Sequence, residues 1–357
     1  MKKRVLIIEE TLSLYNDPIF SILNQHVDLT FAYILKTEVE KTDYKTMQIP
    51  HKWIWKFVWL KKLNYIVNQY DVVIIVPHLK FINLALLPYK LRKFKLISWT
   101  IGLYVSYNRK YNLNKKPDFL DKLYEDIQDH CDACIFYMPH PIDFWERHRG
   151  IDREKYFVAH NTVKVADFGE MPPFSNRNQL LFVGSLYKQK GLGELLEAYY
   201  LAKNKIKVLP KLIIIGKGPE ESIIRQQIED RGLEQDIVMA GPIYNEEELK
   251  DYFLTSLLCL SPKQAGLSVQ KSLGYGTPFV TRPDAITGGE RLDVCNNING
   301  FFYNNIEELS EIIVNAAIHP DQIEPLSQNA RNYYIEKASP EIMAQGVLNA
   351  INYVVNK

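Results

Sequence analysis

The residues best suited to chemistry lie in one stretch, Cys259 to Glu290, which reads CLSPKQAGLSVQKSLGYGTPFVTRPDAITGGE. An apolar strand pattern runs into a loop that contains Gly266, and residues 267–275 have the apolar spacing of a short buried helix. A glycine at a helix entrance lets a ligand approach the backbone, and the free amides and positive dipole end there suit a phosphate. We therefore expect an anionic ligand, a diphosphate, on the amides of Gly266, Leu267 and Ser268. The alternative is a strand-loop-helix crossover with no ligand.

Two other strand ends predict contacts with the same ligand. FVGSLYKQKG (182–191) ends in a lysine at a helix entrance, from which an ammonium group can reach a bound phosphate. IIIGKGPE (213–220) ends in a glycine-rich turn. The residues that we expect at these two ends of the site are Gly184, Ser185, Lys190, Gly216 and Gly218.

A nicotinamide-binding fold is disfavoured. Its fingerprint places G-x-G-x-x-G in the first turn after the first strand. That turn reads IIEETLSLYNDP in this chain and contains no glycine.

Strand-like apolar runs alternate with helical patterns along the whole chain, which indicates parallel sheets covered on both faces. In the first half the runs start at residues 4, 28, 71, 94, 133 and 155, and in the second half at 180, 211, 236, 257, 278 and 299. The fold class that follows is α/β, with two doubly wound Rossmann-like domains facing a central cleft, the default ligand site.

The domain boundary is expected near residue 165, because residues 163–179 are polar, contain prolines and lack periodicity. Residues 1–165 then form the first domain and residues 166–339 the second. A terminal amphipathic helix over 340–357 is expected to pack back on the first domain.

Composition and charge set further bounds. The chain has 357 residues and a net charge of +1, yet residues 1–165 hold 25 lysines and arginines against 18 acids. The first half is therefore the one expected to meet an anionic surface. The four cysteines are few and fit a reducing compartment, and Cys131 and Cys134 are expected to be buried apolar residues, not metal ligands or a redox pair.

An aromatic and basic stretch, HKWIWKFVWLKK (51–62), stands out in the first domain. Indole rings prefer the lipid headgroup region, and lysines near an anionic surface contribute about 1 kcal/mol each. We expect a peripheral membrane contact, and nucleic-acid binding is disfavoured because no nucleic-acid motif accompanies the patch. The alternative is that the indoles pack inside the domain. The residues assigned to this contact are Trp53, Trp55, Trp59, Lys56, Lys61 and Lys62.

Taken in order, VGSLYKQKG, IIIGKGPE, MAGPIYNEEEL, SPKQAGLSVQKSLGYGTPFV and ITGGE followed by NGFF resemble the donor domain of family 4-type retaining glycosyltransferases with the GT-B fold, in a surface polysaccharide branch. The resemblance covers residues 155–305. It implies transfer of a sugar from a uridine or guanosine diphosphate sugar to a lipid-linked or surface-glycan acceptor, without a metal or other cofactor and with the anomeric configuration kept.

The family's functional positions are only partly matched. Lys190 fits the phosphate-binding lysine, but Ser185 stands where an arginine is expected. Lys263 and Lys271 replace two glutamates, one near the donor sugar and one on the ribose. We expect Lys263 to restore the lost phosphate charge and Lys271 to donate to a ribose hydroxyl. Glu290 is the acid expected to contact the sugar hydroxyls, or else a surface glutamate at a helix start.

On the acceptor side, the family's histidine after the strand that ends in tryptophan is missing. The residues expected to line that side are Trp99, Gly102, Tyr104 and Tyr107. The apolar run after MKKR is too short for a signal sequence, so we expect a cytoplasmic protein on the inner face of the membrane. Two other functions stay open: a nucleotide-sugar 2-epimerase, and a non-catalytic nucleotide-sugar-binding subunit.

Overall fold

The computed structural model describes residues 2–104 and 111–357. The chain forms two compact units: Met1–Asn161 together with Ser339–Lys357, and Thr162–Ala338. The first unit ends slightly before the predicted boundary at residue 165. The predicted linker over 163–179 is instead packed into the second unit, where Val165 and Ala166 join its core.

Arg177 attaches the end of this segment to the second unit, although the segment has no periodic apolar pattern. Its buried guanidinium donates to the carbonyl oxygens of Phe253, Ser256 and Tyr275 and to the hydroxyl of Thr277. Burial lowers the pKa of Arg177 to about 10.

The first unit is built on a seven-stranded parallel sheet with the order β3-β2-β1-β6-β7-β8-β9. Strand β1 lies inside the sheet between β2 and β6, and Val5 to Ile8 on that strand are fully buried. A separate antiparallel hairpin, β4-β5, is inserted between β3 and β6. The strands are β1 Arg4–Leu12, β2 Asp28–Thr37, β3 Lys45–Gln48, β4 His51–Ile54, β5 Phe57–Leu60, β6 Val72–Ile75, β7 Lys95–Thr100, β8 Ala133–Phe136 and β9 Tyr156–Val158. The helices are α1 Asp17–His26, α2 Leu63–Val67, α3 Ile82–Ala85, α4 Phe119–Asp129 and α5 His140–Arg149.

The second unit has a six-stranded parallel sheet with the order β12-β11-β10-β13-β14-β15. Its strands are β10 Gln179–Val183, β11 Lys211–Ile215, β12 Ile237–Gly241, β13 Ser256–Leu260, β14 Phe279–Thr281 and β15 Gly300–Phe302. Its helices are α6 Leu192–Lys205, α7 Glu221–Asp230, α8 Glu246–Leu254, α9 Ser268–Gly274, α10 Ile306–Ile318 and α11 Glu324–Lys337. Strand order reverses between β10 and β13, and the carboxyl edge at such a switch point is where ligands bind in open α/β sheets.

The last helix, α12 (Pro340–Asn356), packs on the first unit. Ser339 caps it by accepting a hydrogen bond from the Ile342 amide, and Met343, Val347 and Ile351 are buried in the first unit's core. None of the helices in the described ranges is long and apolar enough to cross a bilayer.

Each of the twelve apolar runs forms a strand, and the predicted α/β class with two Rossmann-like domains is confirmed. The sequence did not predict strands β3, β4 and β5. Strand β3 is a short edge strand with little apolar content, and β4 and β5 carry apolar residues on both faces, so neither pattern has a clean period.

Candidate active site

A cavity of about 970 Å³ lies at the carboxyl edge of the second sheet, formed entirely by residues of the second unit. The loops after β10, β11, β12 and β13 supply most of its wall. It brings together nine of the residues predicted to bind the donor: Gly184, Ser185, Lys190, Gly216, Gly218, Gly266, Leu267, Ser268 and Lys271. The rest of the wall is Val163, Val183, Tyr187, Ile215, Lys217, Glu221, Pro242, Ile243, Tyr244, Leu249 and Gln264.

Lys190 is a partly buried cation of this wall. It ends the single turn Lys188–Lys190, and Gly191 then enters α6 with φ of 76°. Its ammonium lies over Gly184, so that a Cβ on that glycine would be 3.4 Å from Lys190 Nζ. Burial lowers the pKa of Lys190, and nearby Cys259 and Glu290 act in the opposite direction. A partly desolvated ammonium gains from an anionic ligand, because the ligand's charge replaces lost hydration.

The start of α9 adds hydrogen-bond donors to the same wall. The first backbone bond at this end runs from the Val269 amide to the Gly266 carbonyl, so the amides of residues 266–268 precede the helical ladder. The hydroxyl of Ser268 is buried and has no hydrogen-bond partner among the described residues. A buried polar atom without a partner is costly, and a bound ligand would satisfy this one.

Two glycines of the cavity, Gly216 and Gly266, lack a side chain for different physical reasons. A Cβ on Gly216 would lie 1.9 Å from the Gly184 carbonyl oxygen, so this glycine lets two strand-end loops touch. A Cβ on Gly266 would meet nothing within 4 Å. The space beside Gly266 therefore belongs to the cavity, as expected if a ligand approaches the backbone there.

Lys263 does not face the cavity, which corrects its expected role on the phosphate. Its side chain packs on Gly191, and its Nζ lies 3.2 Å from a Glu194 carboxylate oxygen. Glu194 also accepts from Arg282 at 2.8 Å and from the Tyr303 hydroxyl at 2.9 Å. Lys263 therefore belongs to an ion-pair cluster with Glu194 and Arg282 and is not part of the cavity wall.

Glu290 is buried, so the interpretation of a surface glutamate is wrong. It accepts hydrogen bonds from the Thr287 hydroxyl at 3.1 Å and the Gly288 amide at 2.9 Å. Burial raises the pKa of its carboxyl group, and these bonds partly offset the effect. It lies close enough to Lys190 to raise that lysine's pKa, although it does not line the cavity itself.

Lys271 lines the cavity and is paired with Glu246, the first residue of α8. The second oxygen of Glu246 accepts from the Tyr275 hydroxyl at 2.6 Å. This pair was not predicted, because its members are 25 residues apart in the chain. The pair places an acceptor beside the donor that the sequence predicted at position 271.

An apolar wall on the loop after β12 was also not predicted. Pro242, Ile243 and the exposed ring of Tyr244 line it, and Lys217 Nζ lies 5.8 Å from the centre of the Tyr244 ring. Flat apolar and aromatic surfaces of this kind suit a heteroaromatic base.

Three of the four residues predicted to line the acceptor side lie against other residues of the first unit. Trp99 is a core residue, packed on Phe20 and Tyr137, which contradicts a direct contact with an acceptor. Gly102 has φ of 87°, and a Cβ there would lie 2.4 Å from Pro141, so its role is structural. Tyr104 packs edge-on against Tyr124. Tyr107 lies outside the described residues.

A group of titratable residues that the sequence analysis overlooked lies at the carboxyl edge of the first sheet. Lys80 Nζ is 3.0 Å from Glu10, and the Lys80 amide donates to His78 Nδ1. Burial, with a smaller effect of Glu10, raises the pKa of Glu9 to about 7. Burial lowers the pKa of His78.

The three tryptophans of the basic stretch are exposed in the hairpin β4-β5, so the interpretation that they pack inside the domain is wrong. Lys56 Nζ lies 4.7 Å from the centre of the Trp55 ring, and Lys61 and Lys62 are exposed. Cys131 and Cys134 are both buried, and burial raises the pKa of the Cys134 thiol to about 12. Across residues 2–104 and 111–357 no group of three His, Cys, Asp or Glu residues is placed to hold a metal ion.

The second unit is the part of the chain that is similar to a known protein family. A model of the family described as Glycosyl transferases group 1 matches residues 166–333. This match covers nearly all of the second unit, which is therefore similar to group 1 glycosyltransferases. The family resemblance drawn from the motifs is thereby confirmed.

Two curated proteins are similar in sequence to this chain. One, an alpha-monoglucosyldiacylglycerol synthase of Acholeplasma laidlawii, is 26% identical over 155 residues, which are 42% of this chain and 37% of that protein. The other, a poly(glycerol-phosphate) alpha-glucosyltransferase of Bacillus subtilis (strain 168), is 25% identical over 218 residues, which are 59% of this chain and 31% of that protein. The chain thus spans about a third of the length of these relatives.

Solved glycosyltransferase structures share the fold over the whole chain. HepE of Anabaena, crystallised in complex with UDP, aligns with a TM-score of 0.72 at 12% identity and covers 98% of this chain and 100% of its own. At this level of identity the likeness shows the fold, and the GT-B fold class inferred from the motifs is confirmed.

Proposed function

We propose that this protein transfers a sugar from a nucleotide diphosphate sugar to a lipid-linked or surface-glycan acceptor, with retention of the anomeric configuration. The observation that carries the proposal is the cavity of the second unit, where the partly buried Lys190, the helix-start amides and a serine hydroxyl without a partner in the described residues converge. Cations and preorganised N–H donors in one partly desolvated site suit a diphosphate, a group whose charge rises as it leaves.

The nucleoside would occupy the side of the cavity away from Lys190. Pro242, Ile243 and Tyr244 offer an apolar surface to the base. Lys271 lines the cavity and offers a donor to a ribose hydroxyl, and its partner Glu246 holds the ammonium in place. A lysine at position 271 can therefore take part in ribose binding, because a carboxylate from another helix lies beside it.

The chemical step needs little from protonatable side chains. The bond between the sugar's anomeric carbon and the diphosphate oxygen breaks, and a bond from the acceptor hydroxyl oxygen to that carbon forms on the same face. The proton of the acceptor hydroxyl passes to the departing diphosphate. Lys190 and the amides of residues 266–268 stabilise the charge on that leaving group, so catalysis comes from positioning and electrostatics.

The printed names of the two curated relatives support the acceptor class and the stereochemistry. One forms a glucosyl diacylglycerol and the other glucosylates a poly(glycerol-phosphate), and both names specify alpha-glucosyl chemistry. An alpha product from an alpha-linked nucleotide donor is a retained configuration. We also propose that the protein works in the cytoplasm at the inner face of the membrane, because nucleotide sugars are made in the cytoplasm.

The test is to incubate the protein with uridine and guanosine diphosphate sugars and with diacylglycerol or glycerol-phosphate acceptors, and to determine the product's anomeric configuration by NMR. Transfer with retention is the expected result. Isomerisation of the donor without an acceptor would instead identify a 2-epimerase. Tight donor binding with no reaction on any acceptor would indicate a non-catalytic nucleotide-sugar-binding subunit.

A further inference from the structure

The hairpin β4-β5 presents an apolar surface where a sheet normally presents polar residues. Its strands pair Lys52 with Trp59 and Ile54 with Phe57, and side chains that are directly opposite share a face. This face, which we call the outer face, points away from the buried side chains of Val58 and Leu60. Ile54, Phe57 and Trp59 on the outer face are each at least 40% exposed.

The tip of the hairpin places an indole furthest into solvent. Trp55 is 79% exposed and has φ of 54°, a left-handed conformation that a glycine or asparagine normally occupies. Strain of this kind persists when the surrounding structure enforces it, and it occurs most often at functional positions. The chain thus carries a tryptophan at a turn position where its conformation is unfavourable.

The hairpin is attached firmly to the first unit. The side-chain amide of Asn83, which is buried, accepts from the Leu60 amide at 2.9 Å and donates to the Leu60 carbonyl at 2.8 Å. The Val58 amide donates to the Lys80 carbonyl at 2.8 Å. The exposed rings are therefore displayed by a fixed element.

The charge within the hairpin and the residues that flank it has one sign, although Lys80 beside it is paired with Glu10. Residues 44–70 contain five lysines and no aspartate or glutamate. Lys52 lies on the outer face opposite Trp59, and Lys56 lies beside Trp55 at the tip. Lys80 Nζ lies 5.2 Å from the centre of the Trp53 ring.

We infer that the hairpin β4-β5 is a membrane wedge that inserts Trp55 and the outer face into the headgroup region of an anionic bilayer. Indole and aliphatic side chains gain from the interface, and the surrounding lysines are attracted to anionic headgroups. This refines the membrane contact expected from the sequence, because it assigns insertion to one face and to the tip. It is independent of the chemistry proposed for the second unit.

The test is co-sedimentation of the purified full chain, without nucleotide or acceptor, with two kinds of vesicle. One consists of phosphatidylcholine alone and the other of equal parts phosphatidylcholine and phosphatidylglycerol. The parent protein is expected to bind mainly the anionic vesicles. Replacing Lys56 and Lys61 with glutamine is expected to weaken that binding by about fivefold for each lysine, the factor equivalent to about 1 kcal/mol.

Trp55→Gly is the sharpest variant, since it removes the indole and also relieves the backbone strain. We expect at least roughly fivefold weaker binding to anionic vesicles, with a melting temperature equal to or above that of the parent. The matched control is Phe119→Ser, which removes a ring that is 77% exposed elsewhere in the same unit. Its binding should equal that of the parent.

Unchanged vesicle binding by Trp55→Gly would overturn the inference. A parent protein that binds neither kind of vesicle would also overturn it. If that protein were a dimer by light scattering and Trp55→Gly were a monomer, the outer face would be a contact between two copies. Equal binding to both kinds of vesicle would overturn the assignment to an anionic surface.

Discussion

The carboxyl edges of the two parallel sheets have the same architecture and opposite chemistry. At the second sheet, Lys190, Lys217 and Lys271 line a cavity with free helix-start amides. At the first sheet, Glu10 pairs with Lys80 beside His78, and burial raises the pKa of the neighbouring Glu9 to about 7. The difference in charge between the two edges therefore comes from the strand-end residues and not from topology, and under the proposed function the second edge is the one that binds an anion.

The largest expected effect is at Lys190. Lys190→Ala should lower kcat/KM for the donor by about 100-fold, because a desolvated cation on the leaving diphosphate is lost. Steady-state kinetics with a transferable donor measure the effect, and Lys190→Met, which keeps most of the buried stem, should behave alike. Lys188→Ala, in the same turn but exposed, is the control. Normal kinetics in both Lys190 variants would remove this residue from the phosphate site.

A second prediction separates the two kinds of glycine in the cavity. Gly216→Ala should lower the free energy of unfolding by about 2 kcal/mol or more, since its Cβ would overlap the Gly184 carbonyl. Gly266→Ala should leave stability within about 0.5 kcal/mol and still weaken donor binding severalfold. Denaturant melts and donor titrations check both, and a stable, tightly binding Gly266→Ala protein would mean that no ligand occupies that space.

At the first sheet the prediction concerns pH. Native Glu9 holds its proton up to about pH 7, whereas an unfolded glutamate releases it near pH 4.5. The native state therefore binds more protons in that window, and the free energy of unfolding falls as the pH rises from 4.5 to 7. Glu9→Gln removes this pH dependence. As the pH rises from 5 to 8, the free energy of unfolding of Glu9→Gln should therefore increase relative to that of the parent by roughly 1 to 3 kcal/mol.

Chemical denaturation at several pH values measures the difference, with exposed Glu40→Gln as the control. Parallel pH profiles for Glu9→Gln and the parent would show that Glu9 ionises normally. The two edges would then differ in the sign of their charge but not in proton affinity.

The smallest effect is expected at Ser268. Ser268→Ala removes a buried hydroxyl that lacks a partner in the described residues, so stability should be unchanged or higher by up to about 1 kcal/mol. Nucleoside diphosphate binding should weaken by about fivefold, which calorimetry can measure. A destabilised Ser268→Ala with unaltered binding would assign the hydroxyl to the fold and not to the ligand.

The sequence predicted the two sheets well because their strands are continuous apolar runs, and such runs have few other uses in a soluble domain. The glycines and Lys190 were predictable as cavity residues because parallel strands bring their carboxyl ends to one edge. Lys263 was not, since its orientation depends on Glu194 and Arg282, which other elements supply.

Tertiary partners also explain the other differences. Glu246 meets Lys271 only because α8 and α9 start at the same edge of the sheet. The raised pKa of Glu9 is a consequence of burial, which no local pattern in IIEE reveals. Residues 163–179 lack periodicity, yet Arg177 fixes them through backbone carbonyls.

The most direct test of the central claim, a diphosphate site at the edge of the second sheet, is calorimetric titration of UDP and GDP into the protein in the presence of a chelator. We predict that one of the two nucleotides binds with a Kd in roughly the micromolar range. Lys190→Met should weaken that binding at least about tenfold. Absence of binding by both nucleotides, or equal binding by Lys190→Met, would contradict the account.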